Sequence, residues 1–275
     1  MKTLKVACIQ MRTSVDVESN IIHAVTLIRD AAKNKAKLIV TPEMTTLLDR
    51  RPGQLFEKAK AESEDVSLPI FRSLAKELSI ELIIGSIPIR LSPDKCVNRS
   101  YAINKDGKIV AWYDKIHMFD VKLGEGGTYK ESERFQAGSN GCIVNMGEYN
   151  VGLTICYDLR FPHLYRDIAK LGAQIITVPS SFTVPTGEAH WHVLLRARAI
   201  ESGCFIIAPA QHGLHEDGRE TYGHSLIIDP WGNILAEKPE ETGIILADLN
   251  LDLVESVREK IPCLQHDRPY SINHY

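Results

Sequence analysis

The sequence predicts an α/β protein built from two β-sheets with helices on their outer faces. Short apolar segments rich in β-branched residues alternate with segments of helical periodicity. This alternation occurs twice, and each time a hairpin pattern follows it. No linker or low-complexity stretch divides the 275 residues. We therefore predict a single domain spanning residues 1–275, with two sheets and outer helices.

The first half of the chain contains three predicted strands, two helices and a hairpin. The strands are apolar enough to be buried, and the helices place apolar residues three and four positions apart. Pro69 falls in the first turn of the second helix, where proline is tolerated. Asp106-Gly107 between two β-rich runs is typical of a hairpin turn. In chain order the predicted elements are strand 4–10, helix 20–33, strand 37–41, helix 67–78, strand 81–87 and hairpin 98–113.

The second half follows a similar order. Its helix after the first strand begins next to Pro162, and its hairpin turns at Pro230-Trp231-Gly232-Asn233. The predicted elements are strand 150–155, helix 161–171, strand 174–178, helix 188–202, strand 204–209, hairpin 225–236, strand 243–249 and helix 251–260.

Composition excludes several classes of function. A formal net charge of −3 with 24% charged residues does not suggest nucleic-acid binding, which usually requires a clustered basic face. The apolar run at the start is short and interrupted by Gln10 and Arg12, so we expect no secretory signal and no membrane span. Six cysteines without a CxxC pair or a tight Cys/His cluster argue against a structural zinc site and a disulfide scaffold, which favours a reducing, cytoplasmic setting. His190 and His192 lie two positions apart on a predicted helix, which is a poor metal-binding pair.

Cys156 is the first candidate for chemistry. It follows the predicted strand 150–155 directly and precedes a predicted helix. Reactive groups often lie at such strand ends, and backbone N–H groups at a helix start stabilise a thiolate or an oxyanion. The alternative for Cys156 is a small buried core thiol, which is the interpretation we give to Cys8 and Cys204.

Glu43 and Lys115 are weaker candidates when each is taken alone. Glu43 follows the buried strand 37–41, where partial burial would suit a general base. Lys115 lies just past the first hairpin, where its ammonium group could stabilise an oxyanion. Either residue could instead be an ordinary surface side chain. His117 could pair with a cysteine or serve as a packed structural histidine, since its neighbours are apolar.

Three segments together resemble the nitrilase superfamily, also called the carbon–nitrogen hydrolases. They are Thr41-Pro42-Glu43, then Asp114-Lys115-Ile116-His117-Met118-Phe119-Asp120, and then Thr154-Ile155-Cys156-Tyr157-Asp158-Leu159-Arg160-Phe161-Pro162. The resemblance extends from the first strand to the last hairpin. It implies a four-layer αββα sandwich.

The resemblance also implies a catalytic triad and a mechanism. Glu43 would be the general base, Cys156 the nucleophile, and Lys115 with the backbone N–H of Tyr157 the oxyanion stabilisers. A second glutamate that positions the lysine matches Glu131, with Glu125 as a competing candidate. The implied reaction passes through a cysteine thioester and needs neither a metal nor an organic cofactor.

Within that superfamily the chain resembles the Nit branch through the segments 181–191 and 194–201. This implies an amidase that cleaves the terminal amide of deaminated glutathione, or of a similar small ω-amide, to an acid plus ammonia. Arg160, Thr183 and Thr186 are the candidates for binding the substrate carboxylate, although Arg160 could instead belong to a structural ion pair.

Three other functions stay open, and the resemblance also bears on assembly. The chain could be an ω-amidase acting on 2-oxoglutaramate, a nitrilase using the same triad, or a non-enzymatic binding member. Family members commonly pair, so a homodimer or larger homo-oligomer is expected. We expect no nucleic-acid or membrane partner.

Overall fold

The computed structural model describes residues 3–124 and 127–275, which fold into strands and helices as follows. The strands are β1 (Thr3–Gln10), β2 (Leu38–Val40), β3 (Glu81–Ser92), β4 (Lys95–Ile103), β5 (Ile109–Asp114), β6 (Asp120–Lys122), β7 (Thr128–Lys130), β8 (Cys142–Asn145), β9 (Asn150–Leu153), β10 (Ile175–Thr177), β11 (Phe205–Ala208), β12 (His212–Leu214), β13 (Glu220–Tyr222), β14 (Ser225–Ile228), β15 (Ile234–Lys238) and β16 (Gly243–Asn250). The helices are α1 (Val17–Lys33), α2 (Gln54–Lys58), α3 (Ser67–Leu78), α4 (Pro162–Lys170), α5 (Val184–Thr186), α6 (His192–Ser202) and α7 (Asp252–Lys260).

Two six-stranded sheets share one layout. The first has the order β16-β1-β2-β3-β4-β5, and the second has the order β15-β14-β11-β10-β9-β8. In each sheet three neighbouring strands run parallel, β1 to β3 in the first and β9 to β11 in the second. Antiparallel strands flank each parallel group. Because the carboxyl ends of parallel strands meet at one edge, each sheet presents an edge suited to functional loops.

The layer order is helix, sheet, sheet, helix. Helices α1 and α3 contact the first sheet, and α4 and α6 contact the second. A buried apolar cluster draws on both sheets, with Val40 and Ile83 from the first and Val151 and Ile176 from the second. Since both faces of the central strands are covered, their sequences read as continuous apolar runs. The predicted α/β class and αββα sandwich are confirmed.

Two helices have bounds in the structure that differ from the predicted ones. Helix α1 begins at Val17, earlier than predicted, because the side chain of Asp16 caps it by accepting from the Ser19 N–H at 2.7 Å. The predicted helix 188–202 is divided, with a π-helical turn over Gly187–Trp191 ahead of α6. Gly187 lies against the ring of Tyr222, where an added Cβ would come within 2.1 Å of the ring.

Among the described helices, none combines the length and the apolarity that crossing a bilayer requires.

Candidate active site

Three buried polar residues lie just beyond the carboxyl ends of strands. Glu43 follows β2, Lys115 follows β5 directly, and Cys156 follows β9. Their exposed fractions are 4%, 2% and 6%. Burying ionisable groups costs free energy unless they are paired, so their grouping indicates a site built for chemistry.

Lys115 is held between two carboxylates. Its Nζ lies 3.1 Å from Oε1 of Glu43, and 3.0 and 2.8 Å from the two carboxylate oxygens of Glu131. Oε2 of Glu131 also accepts the backbone N–H of Phe119 at 2.7 Å, which orients the carboxylate. Burial opposes the charge of Lys115, but Glu131 and Glu43 outweigh it and raise the pKa of the ammonium group. Lys115 is therefore a fixed positive charge at neutral pH.

Glu43 is held as a carboxylate. Burial alone would raise its pKa, but the positive charges of Lys115 and Arg219 overcome this, and the pKa is lowered. The amide of Asn98 donates to Oε1 of Glu43 at 2.9 Å. Gln211 donates to the backbone carbonyl of Glu43 at 2.9 Å, so both ends of the residue are anchored.

Cys156 has a strained backbone and a protonated side chain. Its φ of 50° lies in the left-handed region, which costs a non-glycine residue about 1–3 kcal/mol. The backbone N–H of Cys156 donates to the carbonyl of Pro179 at 2.9 Å and holds this conformation. Burial and the negative charge of Glu43 raise the pKa of the thiol, against the effect of Lys115. The three groups thus offer a thiol, a carboxylate able to take its proton, and a cation.

The structure decides between the two interpretations of His117. Its Nδ1 lies 2.7 Å from Oδ1 of Asp158, and its ring stacks on Phe161 with centroids 3.5 Å apart. Asp158 is fully buried and also accepts from the hydroxyl of Tyr113 and the backbone N–H of Ile155. His117 is therefore a packed histidine that supports the turn carrying Cys156, rather than the partner of the thiol.

A cavity of about 430 Å³ opens onto the three residues. Arg219 lines it, donates from Nη2 to the carbonyl of Ser181, and lies 5.9 Å from the ring of Tyr129. The Nε of Arg219 is buried and has no hydrogen-bond partner among the described residues. Arg134 also lines the cavity, and burial followed by the charge of Arg219 lowers its pKa. Two arginines whose charges interact in one cavity wall favour an anionic ligand.

The predicted substrate-binding residues divide into two groups. Thr183 and Thr186 are buried, line the cavity and lie 2.8 Å apart between their hydroxyl oxygens. Arg160 does not line the cavity; its guanidinium lies over the rings of Tyr157 and Phe182 at 5.8 and 5.6 Å. This placement gives no support to the prediction that Arg160 binds substrate.

Sequence reasoning did not find Asn98 and Arg219. Asn98 lies inside β4, and Arg219 precedes β13, so neither is near a triad residue in the chain. Of the two candidates for the second glutamate, Glu131 contacts Lys115, whereas Glu125 lies outside the described residues. The segment 123–129, considered as a lid, includes two residues that are likewise outside them.

Comparison with known proteins identifies relatives over almost the whole chain. The family model described as carbon-nitrogen hydrolase matches residues 5–259. A protein of Synechocystis sp. named deaminated glutathione amidase is 38% identical over 270 residues, covering 97% of this chain and 98% of that protein.

Two solved structures share the fold. The C. elegans NitFhit protein superposes with a TM-score of 0.90 at 34% identity; the match covers 97% of this chain and 65% of NitFhit. Nit3 from Saccharomyces cerevisiae, described as a member of branch 10 of the nitrilase superfamily, gives a TM-score of 0.86 at 31% identity, with 96% of each chain covered.

Proposed function

Because the chain belongs to the carbon–nitrogen hydrolase family, we propose that Glu43, Lys115 and Cys156 form its catalytic triad. The protein is a hydrolase that acts on amides. The observation that carries the proposal is the ammonium group of Lys115 lying 3.1 Å from Glu43 beside a buried thiol. A pure binding protein has no need of that arrangement.

The reaction follows from the protonation states. Glu43, a carboxylate, takes the proton of the Cys156 thiol as the sulfur attacks the amide carbonyl carbon. The raised pKa of the thiol means that proton transfer accompanies the attack rather than preceding it. Lys115 and the backbone N–H of Tyr157 stabilise the oxyanion, and Glu131 positions Lys115.

Collapse of the tetrahedral intermediate gives a thioester on Cys156. Glu43 returns the proton to the departing amine and then removes a proton from the water that attacks the thioester. The acid leaves, and the thiol and the carboxylate are restored.

We propose deaminated glutathione or a similar small ω-amide as the substrate, in line with the name of the Synechocystis relative. Such a molecule carries carboxylates, and Arg219 and Arg134 supply cations in the cavity wall. Thr183 and Thr186 supply hydroxyl groups on the same cavity. The expected ammonia product applies only to a primary ω-amide, because deaminated glutathione carries its amide on a cysteinylglycine unit, which leaves as the amine in place of ammonia.

The test compares deaminated glutathione, 2-oxoglutaramate and a matched nitrile, with Cys156→Ala as the blank. Both amides yield 2-oxoglutarate, but only 2-oxoglutaramate yields ammonia with it, so assaying the two products separates the substrates. Faster turnover of deaminated glutathione supports the proposal. Preference for 2-oxoglutaramate would make the protein an ω-amidase, and preference for the nitrile would make it a nitrilase.

A second measurement tests the triad independently of the substrate. Intact-protein mass spectrometry after rapid quenching should detect an acyl group on the wild type and none on Cys156→Ala. A folded wild-type protein that neither turns over nor acylates would point to a non-enzymatic binding member.

We further propose that the protein forms a homodimer or a larger homo-oligomer. Large apolar side chains are exposed on and around α4 and α6, including Leu171, Val193 and Ile200 at 71%, 68% and 51%. Because α4 and α6 contact each other, these exposed side chains support an interaction surface on this side of the protein. Light scattering should give at least twice the monomer mass, and Val193→Asp should reduce it; a wild-type monomer would contradict the proposal.

The remaining proposals concern compartment and organisation. All six cysteines are free thiols, which supports a reducing, cytoplasmic compartment. One buried cluster draws on both sheets, which supports treating residues 1–275 as a single domain.

A further inference from the structure

Two histidines and a glutamate converge away from the catalytic centre. Nε2 of His192 lies 2.9 Å from Oε1 of Glu237, and Nδ1 of His224 lies 2.6 Å from the same oxygen. The three candidate ligand atoms all lie within 4.8 Å of one another. Both imidazoles thus point at one carboxylate oxygen instead of taking one oxygen each.

The residues come from three separate elements. His192 is the first residue of α6, directly after the π-helical turn, and Glu237 lies on the edge strand β15. His224 precedes β14 and has a φ of 55°, in the left-handed region that is unfavourable for a histidine. The indole of Trp191 donates to the backbone carbonyl of His224 at 2.8 Å and holds this conformation. Strained residues and π-turns both concentrate at functional sites.

We propose that His192, His224 and Glu237 bind a divalent transition metal of the zinc class. Two imidazole nitrogens and one carboxylate oxygen form a ligand set that Zn²⁺ takes in proteins, at about 2.0–2.2 Å from each ligand. Tetrahedral geometry at those lengths separates ligand atoms by about 3.3 Å. The two contacts to Glu237, now 2.9 and 2.6 Å, would have to lengthen by about 0.4 and 0.7 Å to reach that separation.

The surroundings favour a site open to solvent. The side chains of His192, His224 and Glu237 retain 29%, 24% and 29% of their exposure, so an ion can enter and water can fill a fourth position. The ring of Tyr222 stacks on His224 with centroids 4.2 Å apart and fixes the imidazole plane. Fixed ligand planes lower the cost of organising a metal site.

The metal would join three elements beside the wall of the catalytic cavity. Trp191, next to His192, is fully buried and packs on Phe182 with centroids 4.7 Å apart. Phe182 lines the cavity. A bound ion would therefore act as a clamp that ties the π-helical turn and α6 to the edge strand, one packing layer from the substrate.

The experiment is a calorimetric titration of metal-free protein with Zn²⁺, carried out on the Cys156→Ala background. That background prevents zinc from binding the catalytic thiol. The variants are His224→Ala and Glu237→Gln, and the matched control is His190→Ala, which removes a histidine outside the cluster. A parallel titration with Co²⁺ gives an absorption spectrum that reports coordination geometry.

We expect one equivalent of Zn²⁺ to bind, with a tetrahedral Co²⁺ spectrum. Each cluster variant should weaken Zn²⁺ binding by at least about tenfold, because the loss of a residue that only contacts a metal ligand already costs that much affinity. His190→Ala should leave the affinity for Zn²⁺ unchanged. Zn²⁺ at a hundredfold excess over the Kd of the background protein should raise its Tm by about 5 °C, and the same concentration should raise the Tm of Glu237→Gln by about half as much or less.

The proposal is overturned if the background protein binds no stoichiometric Zn²⁺. This outcome does not depend on whether His224→Ala and Glu237→Gln fold. It is also overturned if His224→Ala and Glu237→Gln bind as tightly as the control, since the ion would then lie elsewhere.

Discussion

Replacing Glu131 with glutamine tests the positioning of Lys115 most directly. The closest approach of the two charges is 2.8 Å, and Glu131 and Lys115 are only 13% and 2% exposed. At an effective dielectric constant of about 20 the Coulomb attraction removed is about 6 kcal/mol. Breaking a buried pair costs about 3–5 kcal/mol net, and Glu43 at 3.1 Å remains to hold the ammonium group. We therefore expect the free energy of unfolding of Glu131→Gln to fall by about 3 kcal/mol.

The catalytic effect should be separable from the loss of stability. Displacing an oxyanion stabiliser lowers kcat by about 10²-fold or more, and KM should change little because Glu131 mainly contacts Lys115 and the protein backbone. Glu131 raises the pKa of Lys115, so its removal lowers that pKa. The alkaline arm of the kcat profile should then move to lower pH in the variant.

The assay is steady-state kinetics from pH 7 upward, together with urea unfolding. Glu133→Gln is the matched control, since Glu133 lies in the same turn but is 63% exposed and pairs with Lys130. A Glu131→Gln enzyme with wild-type kcat and an unmoved alkaline arm would refute a positioning role for Glu131. A loss of stability with unchanged kcat would show that the ion pair between Glu131 and Lys115 has only a structural role.

Three further predictions concern packing and pH. Gly85→Ala places a Cβ 2.0 Å from the carbonyl oxygen of Thr41, so backbone beside Glu43 must move; urea unfolding should register a loss of about 3 kcal/mol, and kcat should fall. Trp191→Ala removes a fully buried indole and should cost about 4 kcal/mol by the same method; a loss below 1 kcal/mol would contradict the packing. His215 donates from Nδ1 to a carbonyl, and burial lowers its pKa from 6.5 to about 4. The contribution of neutral His215 to the free energy of unfolding is therefore present above pH 6.5 and is lost as the pH falls toward 4. The stability advantage of wild type over His215→Gln should shrink by about 3 kcal/mol between those two pH values. An advantage independent of pH would show that folding does not lower the pKa of His215.

Local sequence patterns predicted the elements that have strong periodicity or distinctive turns. Helix 67–78 has the predicted bounds, because its apolar spacing and Pro69 both indicate where it lies. Both predicted hairpins are present, since their turn residues favour reversal of the chain. Short elements such as α2 and the β6–β7 ribbon were not predicted, because three to five residues carry too little periodicity.

The family resemblance implied that Glu43, Lys115 and Cys156 act together, because their sequence segments are distinctive as a set, and the structure places all three around one cavity. The resemblance did not identify the neighbouring residues that orient and charge-stabilise Glu43. Asn98 reaches Glu43 across 55 residues of chain, and Arg219 acts on it from still further away. Such contacts depend on strand pairing and loop placement, which no local pattern encodes.

The outcome for Arg160 shows the same boundary. Its positive charge made it a candidate for binding a substrate carboxylate, yet its guanidinium lies over two aromatic rings and outside the cavity lining. Arg219 lines that cavity although it is 63 positions beyond Cys156 in the numbering. The sequence by itself determined the elements that have strong periodicity or distinctive turns, and which residue types can react. Only the tertiary structure decided which charges meet, because pKa values and ion pairing depend on burial and on distances of a few ångströms.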